Sequence, residues 1–234
     1  MRDIRLFLEG SFESSIEIPL EKAQLHYLVH VMRVESGDCI KVFNGCDGEW
    51  FGEVHVTSKK SGHIQLREQM KDQVLLPERH LHFSPLKNTP QSFLIEKATE
   101  LGVTHFHPIL CERSIVRQFK PDKNRLTAIE ASEQCERLCV PAFQPLVSLE
   151  NALKGLPSDQ YCFVGDERRE SKSLKEIRSS QEYQKPIHIF IGPEGGFTPL
   201  EFKRFQDHKS MTLVSLSDHI LRAETAALCA LAQV

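Results

Sequence analysis

Two short stretches near the C-terminus hold the residue types from which a binding or catalytic site is most readily built. The first is Ile191-Gly192-Pro193-Glu194-Gly195-Gly196-Phe197. Its three glycines let backbone amides approach a ligand closely and adopt positive φ, and Glu194 adds a carboxylate. The loop lacks the Lys and Ser/Thr of a phosphate loop and the spacing of a dinucleotide loop, so the same residues also suit a tight structural turn. The second stretch is Leu216-Ser217-Asp218-His219-Ile220-Leu221-Arg222-Ala223-Glu224-Thr225-Ala226-Ala227. Arg222 and Glu224 stand just before an apolar run, Ala226 to Ala232, where the first-turn amides of a helix remain free. Such a pair serves either a ligand or a solvated surface ion pair.

The elements that must position these residues change character near residue 75. Before it come short alternating runs, Ile4 to Leu8, Asp38 to Phe43, Glu53 to Val56 and His63 to Leu66, punctuated by Gly37, Asn44-Gly45, Gly48 and Gly62. They predict strands joined by turns. Leu25, Leu28, Val29 and Met32 fall at helical spacing within Glu21 to Met32, so residues 1–75 are read as a small β-barrel with one helix. From residue 76 the rhythm is strand, helix, strand, helix, which predicts an α/β domain over 76–234 with a mostly parallel sheet. His80 to Phe83, Val103 to Leu110, Tyr161 to Val164 and Pro186 to Ile191 are its strands. Helices are predicted from Thr89-Pro90 to Gly102, with Pro90 at the first position and Phe93, Leu94, Lys97, Ala98 and Leu101 on one face, then from Pro121 to about Leu138 and over Leu149 to Lys154. Residues 166–186 read as a solvated helix or loop. Thr198-Pro199-Leu200-Glu201 is a capping box that starts a helix directly after the glycine loop.

Composition bounds the function. The 234 residues carry 29 Lys+Arg against 32 Asp+Glu, a formal net charge of -3, with 40% hydrophobic residues. Disordered, fibrous and coiled-coil classes are excluded. Residues 1–75 hold 9 Lys+Arg against 12 Asp+Glu, and the remainder 20 of each. Nucleic-acid binding therefore requires a local basic patch rather than a basic arm. Seven scattered cysteines argue against a disulfide framework, and Cys135 and Cys139 lack a second pair at zinc-ligand spacing. Without a signal-like or membrane-length apolar run, a reducing cytoplasm is the expected compartment.

The glycine loop and the 216–227 stretch together resemble the paired C-terminal signature of the RsmE family, bacterial ribosomal RNA methyltransferases of the SPOUT superfamily. His26 to Met32 with Arg33, Ile95 to Val103, and Glu133-Gln134-Cys135 with Arg137 and Pro141 agree in order, so the resemblance spans the chain. It implies an N-terminal RNA-binding barrel of PUA-like type and a SPOUT domain whose C-terminal segment threads a deep trefoil knot, a topology no pattern argument proposes. It further implies S-adenosylmethionine as methyl donor without a metal, a homodimer, and methylation of uridine N3 in 16S (small-subunit) ribosomal RNA, free or in an assembled subunit.

The resemblance also assigns roles. Val164, Gly165, Ile191, Gly192, Gly195, Gly196, Leu216, Ser217, Ile220 and Leu221 would hold the cofactor. Arg222 would stabilise the uridine anion and Glu194 or Glu224 would accept the N3 proton, unless Glu194 only satisfies amides of its own loop. Arg113 and Arg137 would meet phosphates or the partner subunit. His26, His30 and Arg33, at i, i+4, i+7, form a stripe suited to RNA contact or to packing on the barrel, and Phe43, Trp50 and Phe51 suit base stacking or the core. Ser217 stands where the family usually has Gly, Ala223 where Thr is common, and Glu136 at a position often Gly; the chain ends at Val234, inside the expected last helix. These departures motivate a second reading, a knotted RNA-binding or assembly protein without transfer activity. A SPOUT enzyme acting on transfer RNA ribose 2′-OH is the competitor within the enzyme class.

Overall fold

The computed structural model describes residues 4–157, 159–178 and 185–234. The chain divides into two compact units, residues 1–75 with 132–140, and residues 76–131 with 141–234. The sequence boundary at 75 thus omits one excursion, the stretch 132–140, which joins the first unit.

That unit contains β1 (Arg5–Phe7), β2 (Glu17–Pro19), α1 (Lys22–His26), β3 (Cys39–Phe43), β4 (Glu49–Ser58) and β5 (Ser61–Lys71). The sheet order is β1-β3-β4-β5-β2, with β1 parallel to β3 and the other neighbours antiparallel. Alternation turns Ile40, Val42, Val54, Ile64 and Leu66 inward, all fully buried. Leu6 and Ile18, from opposite edge strands, share that core with Leu25 and Leu28, so the sheet curls around one interior. Phe43 is fully buried and Trp50 packs on the core while its indole N–H donates to the Asp47 carbonyl at 2.8 Å, which makes both packing residues.

Two expectations here are corrected. Gly62 is no turn residue: β4 and β5 reverse at Lys59-Lys60, and Gly62 lies inside β5, where a Cβ would fall 2.8 Å from the His55 carbonyl and 3.0 Å from Leu25. The helix over 21–32 is not uniform. A capping box between Glu21 and Gln24 opens α1, but from Tyr27 to Val31 the backbone widens into one π turn, closed by Met32 N–H on the Tyr27 carbonyl at 2.9 Å.

Residues 132–140 join this unit through Arg5. Its guanidinium, 2.6 Å from Glu49, also donates to the carbonyls of Ser132 (2.9 Å) and Arg137 (3.1 Å). Burial alone would raise the Glu49 pKa, but Lys71 and Arg5 outweigh it and hold the carboxyl below its ordinary value. Arg137 is itself buried, with its guanidinium on Cys139 Sγ at 3.4 Å. Arg137, expected to meet phosphates or the partner subunit, thus lies mostly within its own unit.

The second unit is built from β6 (Arg79–Phe83), α2 (Asn88–Glu100), β7 (His105–Leu110), α3 (Pro121–Gln134, its last turn in the first unit), β8 (Ala142–Phe143), β9 (Val147–Ser148), α4 (Leu149–Lys154), β10 (Tyr161–Gly165), α5 (Leu174–Arg178), β11 (Ile187–Ile191), α6 (Pro199–Asp207), β12 (Met211–Val214) and α7 (Ala223–Leu231). The sheet is parallel, in the order β12-β10-β11-β6-β7-β8, with β9 also on β7. β11, at its centre, is buried throughout, as its continuous apolar run requires. The chain leaves β11 for β12 at the sheet edge, then doubles back so that α7 packs on α2 and β11.

Helix α2 starts two residues earlier than its proline suggests. Pro90 is its third residue, still within the first turn where no intrahelical donor is needed. Leu94, Ile95 and Ala98 form its buried face, while Phe93 is 45% exposed and Lys97 bridges Glu96 and Glu100. Helix α3 ends at Gln134, four residues short of the expected end. Part of the solvated stretch 166–186 is α5, and residues 179–184 lie outside the described residues.

Candidate active site

The C-terminal ends of β10, β11 and β12 open into three loops that enclose a cavity of about 550 Å³. Ligands of open α/β sheets bind at this end of the strands. Gly165, Ile191, Gly192, Gly196, Leu216, Ser217, Ile220 and Leu221 all line it, as do Glu194, Arg222 and Glu224. Residues separated by as many as 59 positions of sequence are thereby brought to one place. Val164 and Gly195 do not line it. Val164 is fully buried in the core beneath, and Gly195 faces Arg113, whose guanidinium donates to its carbonyl at 2.8 Å. Arg113 thus braces the glycine loop.

The loop after β11 is held by Gly196 N–H on the Pro193 carbonyl (2.8 Å) and leads into α6 through the predicted capping box. Glu201 accepts from Thr198 N–H at 2.8 Å and, with its other oxygen, from Glu112 N–H at 2.8 Å, tying this helix start to the segment after β7. Gly192 leaves little room for a side chain, since a Cβ would sit 3.2 Å from the Phe197 ring. Glu194 is exposed and accepts no amide of its own loop, which leaves its carboxylate available to a ligand.

The loop after β12 is anchored from below, where Leu216 O accepts from Cys229 Sγ at 3.3 Å and Gln233 Nε2 at 3.5 Å. Ser217 does not strain it: its φ is not positive, and its hydroxyl closes a small turn by accepting from His219 N–H at 3.1 Å. Arg222 is the N-cap of α7, exposed at the cavity rim, with Glu224 half-buried in the first turn. The helix begins at Ala223, three residues before the apolar run that predicted it.

The third loop contributes groups that no sequence pattern singles out. Asp166 is buried and bound by Arg168 (2.8 and 3.1 Å) and by the Ser171 hydroxyl (2.7 Å). Burial pushes its pKa up, but those donors outweigh it and keep the carboxyl below its ordinary value. Glu167 is raised instead, by burial first and then by the neighbouring Asp166 charge, although its side chain is still partly open to solvent. Arg169 donates to the Asp218 carbonyl at 2.6 Å and links two of the three loops. The signal available was weak: an Asp-Glu-Arg-Arg run in a charged stretch reads as a solvated surface.

The parallel α/β unit with its glycine-lined cavity under three C-terminal loops falls within residues 75–234, which match the RNA methyltransferase domain; residues 20–67 match the RNA methyltransferase PUA domain. The chain belongs to the ribosomal RNA small subunit methyltransferase E (RsmE) family. It is 30% identical to the protein of that name from Rickettsia conorii over all of this chain and 96% of the relative, and 30% identical to the Bacillus subtilis protein over 98% and 95%. Its fold superposes on the Neisseria gonorrhoeae ribosomal RNA small subunit methyltransferase E, a structure bound to S-adenosyl methionine, with a TM-score of 0.88 at 27% identity, covering 99% of this chain and 96% of the other.

Proposed function

We propose that this chain transfers the methyl group of S-adenosylmethionine to N3 of a uridine in small-subunit ribosomal RNA, in the cytoplasm and as a homodimer whose C-terminal segment is threaded as a trefoil knot. The observation that carries the reading is the cavity itself. It has the volume of a drug-sized ligand site, apolar walls from Ile191, Leu216 and Leu221, and bare backbone at Gly165, Gly192 and Gly196. Asp166, Glu167, Glu194 and Glu224 outnumber Lys87, Arg169 and Arg222 along its lining, which suits a ligand carrying both a sulfonium and an ammonium. The doubling back of the chain between β12 and α7 is the path a knotted C-terminus requires.

When bound, the donor supplies an electrophilic methyl on a sulfonium that becomes a neutral thioether. The residues of this chain orient and handle the proton. Uridine N3–H is a weak acid, and its nitrogen attacks as the proton leaves, so charge develops on the adjoining carbonyl oxygens. Arg222, on the rim and with no carboxylate partner among the described residues, would stabilise that charge. Glu194 and Glu224 are the two carboxylates of the rim suited to accept the proton. His26, His30 and Arg33 would contact the RNA from the first unit: both imidazoles are exposed, which favours RNA contact over packing.

The transfer reading is supported over the non-catalytic one by the loop at Ser217, which has no positive φ, and by α7 starting regularly at Ala223. Calorimetric titration with S-adenosylmethionine tests the site. Binding in the micromolar range is expected, and its absence would leave the cavity without its proposed ligand.

A further inference from the structure

The first unit has a cavity of its own, about 360 Å³, in the elbow between α1 with its π turn and the β4–β5 hairpin. Its floor is apolar, from Leu25, Val29 and Val56. Its rim is cationic, with Lys22 on α1 and Lys59 and Lys60 on the hairpin tip, and imidazole donors from His26 and His30. No Asp or Glu lines it. His26 and His30, four residues apart on this helical stretch, bring their rings to within 4.8 Å of each other, and both line the cavity.

Three other cations of this unit are committed elsewhere. Arg5 is buried on Glu49, Lys71 bridges Glu49 and Glu136, and Arg67 sits on Glu53. Lys22, Lys59 and Lys60 are exposed and have no carboxylate within 4 Å among the described residues. In a segment whose acidic residues outnumber its basic ones, three uncommitted lysines and two histidines around one hollow form a local positive focus. The hollow is also firmly built: Leu20 N–H bonds the Gly62 carbonyl at 3.0 Å, and Leu25 packs so closely on Gly62 that no side chain fits there.

We propose that this elbow is a phosphodiester-binding subsite that grips the ribosomal RNA backbone away from the methylated base, with Lys22, Lys59 and Lys60 as the charged contacts and His26 and His30 as hydrogen-bond donors. The inference rests on the proposed RNA substrate. All five residues fall within the stretch, 20–67, that matches the RNA methyltransferase PUA domain. Backbone contacts of this kind position without reading sequence, and each makes affinity depend on salt.

The test is binding of fluorescently labelled small-subunit ribosomal RNA to the full chain at several salt concentrations, for the wild type and for Lys59→Ala/Lys60→Ala. Loss of two phosphate contacts should weaken binding about tenfold or more near 0.1 M salt and reduce the slope of log K against log salt by roughly 1.5. Lys22→Ala in place of the pair should lower the slope by about half as much. Thermal melting and S-adenosylmethionine affinity report that the variants are folded. Unchanged affinity and slope in folded variants would overturn the subsite, whatever the enzyme methylates. A wild type that binds with the expected slopes but makes no 3-methyluridine would instead overturn the reaction and leave the subsite standing, and a wild type that binds no RNA would overturn both.

Discussion

The Glu167 carboxylate rests directly against Gly196, so that a Cβ at position 196 would overlap its Oε1 and come within 2.9 Å of its Cδ. Gly196 also has φ +67, a conformation that costs an L side chain about 1–2 kcal/mol. The positive φ therefore favours glycine at this position of the loop after β11, and Glu167 must move to admit a side chain. Gly196→Ala should lower S-adenosylmethionine affinity at least tenfold in calorimetry. Adding Glu167→Ala removes the overlap but not the φ strain, so the double variant should recover part of the affinity. Equal affinity in the single and double variants would show that Glu167 does not crowd the loop.

Arg222 closes the loop between β12 and α7, with its side chain exposed at the mouth of the cavity. Arg222→Ala should therefore abolish methyl transfer while S-adenosylmethionine affinity stays within a few-fold. Glu194→Gln and Glu224→Gln separate the proton acceptors, since only loss of the true base should remove the acidic limb of the pH–rate profile. Normal turnover in Arg222→Ala would take this residue out of the mechanism.

A histidine ladder in the second unit predicts acid sensitivity. Cross-strand register places His188, His80 and His105 on one rung and Phe190, His82 and His107 on the next. Neighbouring rings stack at 4.2–4.4 Å, as His80 does on His188 and His105, and His80 hydrogen bonds His107 at 2.9 Å, as His82 does His188. Glu78 and Gln160 complete the polar contacts, to His80 and His188. Burial first, and then mutual repulsion, lowers His107 and His188 to about 3 and His80 and His82 below their ordinary value. These rings are neutral in the folded chain but take protons in the unfolded one below about 6.5. Their contribution is complete above that pH and is lost progressively as pH falls toward 3. Each ring adds up to about 1.4 kcal/mol of destabilisation per pH unit in that window. The urea midpoint should fall steeply between pH 6.5 and 5, less so in His188→Gln. A flat profile would contradict the buried, neutral ladder.

Glu136 occupies a left-handed position, φ +59, with a 3.8 Å pairing to Lys71 as compensation. An exposed pair of that kind is worth little, so Glu136→Gly should leave the thermal midpoint unchanged or raise it, with a gain of up to about 1 kcal/mol. A clear loss of stability would mean that the ion pair outweighs the backbone strain.

Much of this was legible in the sequence where a periodic pattern or a cap encoded it. The continuous apolar run at Ile187–Ile191 predicts the buried central strand, and Thr198 with Glu201 predicts the start of α6. Glycine was informative at Gly192 and Gly196 but misleading at Gly62, where close approach of the His55 carbonyl, and of Leu25 behind it, rather than a turn excludes a side chain. Arg137 shows the limit for charged residues. Its burial depends on Arg5, 132 positions away, and no local signal encodes that distance. Asp166, Glu167 and Arg169 were invisible for the same reason, since their place at the cavity follows from strand order. The alternating His80-x-His82 and His105-x-His107 were readable as one face of two strands, but only their register joins them.

The central claim is tested most directly by incubating the protein with labelled S-adenosylmethionine and small ribosomal subunits from cells lacking this methyltransferase, followed by nucleoside analysis of the RNA. One labelled nucleoside, 3-methyluridine, is expected with the wild type and none with Arg222→Ala. A label on another base or on ribose, or no transfer by a protein that binds the cofactor and the RNA, would contradict it.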